Sequence, residues 1–221
     1  MTFQTDLDSF RASLEIRVGE TIAKLIGGDI DDLRGSGILE RSAKIGDVLP
    51  VTANLSDQHN RPFDLARLVA DKPVILTFYR GGWCPYCNLE LRADQALLAD
   101  IHALGAELVA VSPELPDHAL STTEKNDLSF TVLSDIGGDF ASALGIRFTL
   151  SEAVQPFYEK GGHALPERNG DGTWALPMPA TFVVNRGGRI ASAFIEPDYR
   201  KRLDPVETLA ALRSITQAKA A

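Results

Sequence analysis

The stretch Val74-Ile75-Leu76-Thr77-Phe78-Tyr79-Arg80-Gly81-Gly82-Trp83-Cys84-Pro85-Tyr86-Cys87 decides the reading of this chain. Val74 to Tyr79 is a short, nearly continuous apolar run, the pattern of a strand buried on both faces, and Lys72-Pro73 punctuates its start. Gly81 and Gly82 let the backbone turn sharply where a Cβ would resist. Pro85 suits the first turn of a helix, where its missing N–H has no helical partner to lose, and this leaves Cys84 on the N-cap side. Strand, turn and helix thus carry the chain's two cysteines to a helix start, whose N–H groups favour a thiolate over a thiol.

Three chemistries compete for that pair. As a structural disulfide it closes a very short loop, worth about 2 kcal/mol in the chain-entropy model before strain, a weak motive in a chain with ample core. As half of a zinc site it needs two further ligands, and His59, His102, His118 and His163 are scattered without ligand spacing. As a redox pair it needs nothing more. Cys84, at the helix end, is then the more exposed sulfur and the attacker, and Cys87, one turn on, condenses with whatever forms on it, or the roles reverse.

Outward from this motif the pattern alternates strands and helices. Glu107 to Val111 is a second buried strand, joined to the first by a long helix marked by Leu91, Leu98, Ile101 and Leu104 and closed by Gly105, so a right-handed βαβ unit is expected. Pro116 to Asn126 reads as a helix, Thr131 to Leu133 as a short strand and Phe140 to Leu144 as a helical turn. Thr181 to Val184, the turn Asn185-Arg186-Gly187-Gly188 and Ile190 to Ile195 form a hairpin, and a last helix covers Pro205 to Ile215. Upstream, Val51 to Leu55 and Phe63 to Leu65 flank the turn Asp57-Gln58-His59-Asn60 and feed a short helix over Leu65 to Ala70. Residues 147 to 176 scatter Phe148, Phe157, Tyr158 and Trp174 among glycines and prolines and read as an insert of a helix and a loop.

Leu7, Phe10, Leu14, Val18, Ile22 and Leu25 recur at helical spacing, and Gly27-Gly28-Asp29 and then Gly35-Ser36-Gly37 break the pattern. Residues 1–43 therefore read as an N-terminal helical arm and 44–221 as the main α/β domain. An amphipathic arm outside the core is suited to pairing two subunits as a homodimer.

The net charge of −8 argues against nucleic acid or an anionic membrane as partner, and the one basic cluster, Arg200-Lys201-Arg202, reads as a solvated approach to the last helix. No run approaches the roughly 20 apolar residues of a membrane span, and the start lacks a basic region followed by an apolar one, so a cytoplasmic location is expected. In that reducing compartment a cysteine pair is more often catalytic or metal-binding than structural.

Lys44-Ile45-Gly46-Asp47-Val48-Leu49-Pro50, Phe78 to Leu91, Val109-Ala110-Val111-Ser112-Pro113 and Lys125 to Asp135 together resemble the AhpC/TSA peroxiredoxin branch of the thioredoxin superfamily, within its Cys-x-x-Cys group. The resemblance implies a thioredoxin-like fold, a central mixed sheet flanked by helices with the N-terminal helical extension added. It implies a peroxidase that needs no metal or organic cofactor, takes a hydroperoxide as substrate and is regenerated by thioredoxin or a similar dithiol. It also implies that Pro179, in Met178-Pro179-Ala180-Thr181, is held cis beside the dithiol and leaves backbone groups free to pair with a substrate chain; the plain alternative is a proline at strand entry.

The chain departs from the family pattern as well. The signature Pro-x-x-x-Thr-x-x-Cys, laid on without gaps, puts Arg80 at the proline, Cys84 at the threonine and Cys87 at the peroxidatic cysteine, whereas thioredoxin logic makes Cys84 the attacker. The arginine expected ahead of the late hairpin falls on Pro179. Arg80 is therefore the candidate source of the missing positive charge, unless it is a surface residue, and Trp83 and Tyr86 are candidate walls of the substrate site, unless they only fill space. Two other functions fit the same dithiol: a protein disulfide reductase, favoured by Pro179 and by the missing peroxide-polarising groups, and a redox-sensing binding module.

Overall fold

The structure is a computed structural model that describes residues 3–217; residues 1–2 of the expected arm and 218–221 of the expected main domain lie outside it. In chain order the elements are α1 (Phe3–Gly35), α2 (Ile38–Arg41), β1 (Leu55–Asp57), β2 (Pro62–Phe63), α3 (Leu65–Asp71), β3 (Val74–Phe78), α4 (Pro85–Ala96), α5 (Leu98–Ala103), β4 (Glu107–Ser112), α6 (Pro116–Lys125), β5 (Thr131–Ser134), α7 (Asp139–Ala143), β6 (Arg147–Thr149), α8 (Gln155–Lys160), α9 (Leu165–Asn169), β7 (Ala175–Pro177), β8 (Ala180–Val184), β9 (Ile190–Ile195) and α10 (Pro205–Gln217). Seven strands form one mixed sheet in the order β2-β1-β5-β4-β3-β8-β9. β3, β4 and β5 run parallel, and β8 and β9 extend the sheet antiparallel beyond β3. This is the expected α/β, thioredoxin-like arrangement, with β3–α4–β4 as its βαβ unit.

Side chains along β3 alternate between two cores, as a pleated strand buried on both faces must. Val74, Leu76 and Phe78 join Val109, Val111, Leu133 and Phe182 on one face. Ile75 and Tyr79 join Leu108, Ala110 and Val132 on the other, together with Leu91 of α4, Leu209 and Leu212 of α10, and both cysteines. The arm closes this second core: Leu7 is 1% exposed, and Phe10 and Leu14 pack behind it.

Three expectations need correction. The arm's helix does not stop at Gly27-Gly28; it runs to Gly35 and bends at Gly19 (φ 77°, ψ 162°). Ile26 and Ile30 are buried on either side of the glycine pair, so packing holds in helix two residues that would weaken it in isolation. The helix after the cysteines is two, parted at Leu97 (φ −99°, ψ 0°). The insert is more ordered than a helix and a loop: β6 pairs with β7 in a separate two-stranded sheet, and α8 and α9 pack over it around Leu150, Val154, Tyr158, Leu165 and Leu176. No described helix is long and apolar enough to cross a membrane.

Candidate active site

β3 ends by handing the chain to a turn in which both glycines are required, for different reasons. Gly81 has φ +146°, and a Cβ there would lie 2.3 Å from Trp83 Nε1; on Gly82 it would lie 2.0 Å from Thr122 Oγ1. The turn is braced from outside. Gly82 N–H donates to Glu114 Oε2 at 2.7 Å, and Glu114, buried, is held in turn by Arg168 at 2.8 Å. Asn88 Nδ2 donates to the carbonyls of Gly82 and Cys84 at 2.9 and 3.1 Å. Pro85 opens α4 with Cys84 as its N-cap, as the sequence predicts.

Both cysteines are free and buried, Cys84 at 1% and Cys87 at 0% exposure. The expectation that Cys84 is the exposed sulfur is therefore wrong as stated: the arm and the insert roof the helix start, which the local motif could not reveal. The two sulfurs still differ in access. Cys84 lines a cleft of about 150 Å³ walled by Leu14 and Ile26 of the arm, Trp83, Tyr86 and Tyr199, and Phe157, Tyr158 and His163 of the insert. Cys87 lies behind it.

Arg80 is not a surface residue. It is 1% exposed, and its guanidinium sits 4.0 Å from the ring centre of Tyr199, 5.0 Å from Trp83 and 5.5 Å from Tyr158. Nη2 donates to Tyr158 Oη at 2.5 Å, while Nε has no partner among the described residues. Trp83 stacks on His163 (5.1 Å, 29°) and meets Tyr158 edge-on. Tyr86 is fully buried, edge-on to Phe10 of the arm at 5.1 Å and to Tyr199 at 5.8 Å. Arg80, Trp83, Tyr86 and the two cysteines thus come together.

Pro179 does not join them in the expected way. The described backbone has no cis peptide bond, so Met178–Pro179 is trans. Met178 N–H donates to Ile146 O at 2.8 Å, and Pro179 O accepts from Glu196 N–H at 3.2 Å. The strand-entry reading fits, because backbone groups that would pair with an incoming chain already pair with Ile146, just ahead of the insert, and with the end of β9.

Arg202 was the residue hidden in the sequence. Expected to be solvated with its basic neighbours, it is buried, and it donates from Nε to Glu90 Oε2 at 2.5 Å and from Nη2 to Cys87 Sγ at 3.2 Å. Its Nη1 reaches the carbonyls of Tyr199 and Lys201. Only the register Cys87-Asn88-Leu89-Glu90, an acid one turn past a cysteine on the same face, hinted that a cation must come from elsewhere in the chain.

These cations set the thiols apart. Burial pushes the Cys84 thiol up, but a hydrogen bond from the Cys87 thiol, then the Arg80 and Arg202 charges, outweigh it and bring Cys84 down to about 6. Burial, the same hydrogen bond and the neighbouring anion push Cys87 well above its ordinary value, against a weaker pull from Arg202. One sulfur is an anion at neutral pH and the other keeps the proton between them.

Fold and site together define a thioredoxin-like protein with a paired-cysteine centre at the end of its central strand. Residues 45–193 match the AhpC/TSA family, and the chain belongs to that family, on its peroxiredoxin-like side. It is 30% identical over 114 residues to the chloroplastic peroxiredoxin Q of Sedum lineare, an alignment covering 52% of this chain and 60% of the relative. A thioredoxin-like protein of Haemophilus influenzae is 32% identical over 97 residues, covering 43% and 55%. The chain thus spans little more than half the length of these curated relatives. Among solved structures, peroxidoxin BcpB of Mycobacterium tuberculosis superposes with TM-score 0.61 at 23% identity, over 78% of this chain and 97% of that one. Xanthomonas campestris peroxiredoxin Q superposes with TM-score 0.60 at 18% identity, over 79% and 98%. Both share the fold.

Proposed function

We propose that this protein is a thiol-dependent peroxidase in which Cys84 attacks a hydroperoxide and Cys87 resolves the product. The observation that carries the reading is a sulfur held as an anion by its surroundings, buried yet opening on a cleft of about 150 Å³. A space of that size admits a molecule about as large as benzene and no protein segment. The thiolate attacks the terminal peroxide oxygen; the S–O bond forms as the O–O bond breaks, and the alkoxide or hydroxide leaves with a proton. Cys87 then attacks the Cys84 sulfenic acid, the S–S bond forms and water departs. A thioredoxin-type dithiol returns the pair to the reduced state, in the cytoplasm on this reading.

Arg80, Trp83 and Tyr86 form the substrate walls. Arg80, with an unpaired Nε–H and its charge beside Cys84, supplies the polarisation that the family's missing groups give elsewhere. The aromatic and aliphatic lining suits an alkyl hydroperoxide as well as hydrogen peroxide, and alkyl peroxide reduction is described for a Xanthomonas campestris bacterioferritin comigratory protein of the same fold. Residues 1–43 act as a cover on the 44–221 domain, and as the element through which two copies would pair. The protein disulfide reductase reading loses the support of Pro179, whose neighbouring backbone groups are already paired, and keeps only the missing peroxide-polarising groups, a role Arg80 fills on the present reading.

Rapid mixing of reduced wild type, Cys84→Ser and Cys87→Ser with one equivalent of cumene hydroperoxide tests the proposal, with mass spectrometry of each product. Wild type should give the Cys84–Cys87 disulfide, Cys87→Ser a sulfenate on Cys84, and Cys84→Ser no reaction above that of free cysteine. If neither single-cysteine variant outpaces free cysteine while the wild type reduces insulin, the protein is a reductase and the peroxidase reading fails.

A further inference from the structure

Behind the dithiol, away from the cleft, lies a second buried titratable cluster. Glu90 and Asp94 follow Cys87 at successive turns of one face of α4, and are 3% and 7% exposed. Arg202, from the segment before α10, bridges Glu90 to Cys87, and Thr77 of β3 faces Asp94 at 3.4 Å. Peroxide chemistry with Cys84 already ionised needs two protons from the protein, and the dithiol then holds only one, on Cys87.

We infer that the Glu90–Asp94 carboxyl pair stores the second proton while the dithiol is reduced and releases it when the disulfide forms. The argument is charge balance among buried groups, Arg80, Arg202, Glu90 and Asp94 each being less than a tenth exposed, where unpaired charges are strongly disfavoured. Arg80 and Arg202 are permanent buried cations. With Cys84 a thiolate, one ionised carboxyl completes the balance and the other stays protonated. Disulfide formation removes the thiolate, both carboxyls must then ionise against the two guanidiniums, and one proton leaves. The carboxyls' behaviour agrees: burial raises Glu90 to about 7 and Asp94 well above its ordinary value, with Glu90 adding to the rise at Asp94. The full step balances: Cys84–S⁻, Cys87–SH, one carboxylic acid and ROOH give the disulfide, a carboxylate, ROH and water. The pair acts through Arg202 without touching substrate, so its residues are positioning residues, and the shared proton belongs to both.

This inference rests on the dithiol–disulfide reading of the cysteines but not on peroxide as oxidant, so the test uses an azodicarboxamide, which takes two electrons and two protons as it oxidises a dithiol. Redox-difference infrared spectra of the full-length wild type at pH 6.5 should show a protonated-carboxyl stretch lost on oxidation, shifted or abolished by Glu90→Gln or Asp94→Asn. The midpoint potential should fall more steeply with pH in wild type than in Glu90→Gln between pH 6 and 7.5, the difference approaching one proton, tenfold in the equilibrium constant or about 30 mV per pH unit for a two-electron couple. The wild-type spectrum decides the matter even if a variant folds poorly. A disulfide that forms with no carboxyl change overturns this inference alone; failure to form the disulfide at all overturns the proposed function beneath it.

Discussion

Arg202 gives the sharpest test at the scale of single residues, because it touches Cys87 and is felt at Cys84 without lining the cleft. The sign follows from the thiolate. With Cys84 lowered to about 6, its reaction with iodoacetamide should be flat above pH 7 and fall about tenfold per unit well below 6, since only the anion reacts. Removing a cation a few ångströms away raises an acid's pKa by roughly 1–3 units. Arg202→Met should therefore move the alkylation midpoint upward by a unit or more and slow the reaction at pH 6 about fivefold or more, with a much smaller change at pH 9. An unmoved midpoint would assign the whole effect to Arg80 and the Cys87 hydrogen bond. Neither arginine's role could be settled from sequence. Arg80 sits beside the motif, but the aromatic cage that buries it includes residues about 80 and 120 positions away. Arg202 hides in a charged triplet of which only Lys201, 54% exposed, is solvated as such triplets usually are; Arg200 is largely buried against Asp198.

The turn between β3 and α4 is an element whose two glycines should fail differently. Gly82→Ala sets a methyl against Thr122 Oγ1, while Thr122→Ala leaves only the Thr122 Cβ, at 3.2 Å. Overpacking of this kind costs about 1–3 kcal/mol, so Gly82→Ala should lower Tm by several degrees and the pair Gly82→Ala/Thr122→Ala should recover much of it. Gly81→Ala also strains the backbone at φ +146°, so no partner change should rescue it. Equal rescue of both would mean that space alone decides. This turn, β3, the βαβ unit and the β8–β9 hairpin were legible because each is written in local patterns: an apolar run, paired glycines, a proline at a helix start, Asn and Gly at a hairpin turn. The unbroken helix past Gly27-Gly28, the ordered insert and the trans Pro179 were not. Each depends on contacts between segments far apart in the chain, such as Ile26 and Ile30 finding burial, or Met178 N–H reaching Ile146. Local propensity yields to such contacts wherever the two disagree.

Across the whole molecule, the arm and the insert impose a size limit on the dithiol's partners. On the proposed function a hydroperoxide would reach Cys84 through the cleft, but a reducing protein would have to place its own sulfur on a pair of cysteines that are at most 1% exposed. Regeneration by a protein on that reading would require the cover to open, and α1 is the candidate: it is bent at Gly19 and anchored on the second core by Leu7 with Phe10 against Tyr86. Opening of this kind is a local equilibrium set by the contacts that hold the segment down. Leu7→Ala removes a buried leucine worth about 2–5 kcal/mol, and even 2 kcal/mol raises the open population about thirtyfold. Alkylation of Cys84 by iodoacetamide, which fits the cleft, should change little in Leu7→Ala, whereas a polymer-linked maleimide, too large for the cleft, should react tenfold or more faster than with the wild type. Reduction of the disulfide by a protein dithiol should accelerate with the second reagent and not with the first. If both reagents quicken together, the substitution has loosened the whole fold; if neither does, reductant enters by the insert side, between α8 and the arm, where Phe157 and Gly161 join the cleft to an outer groove of about 510 Å³.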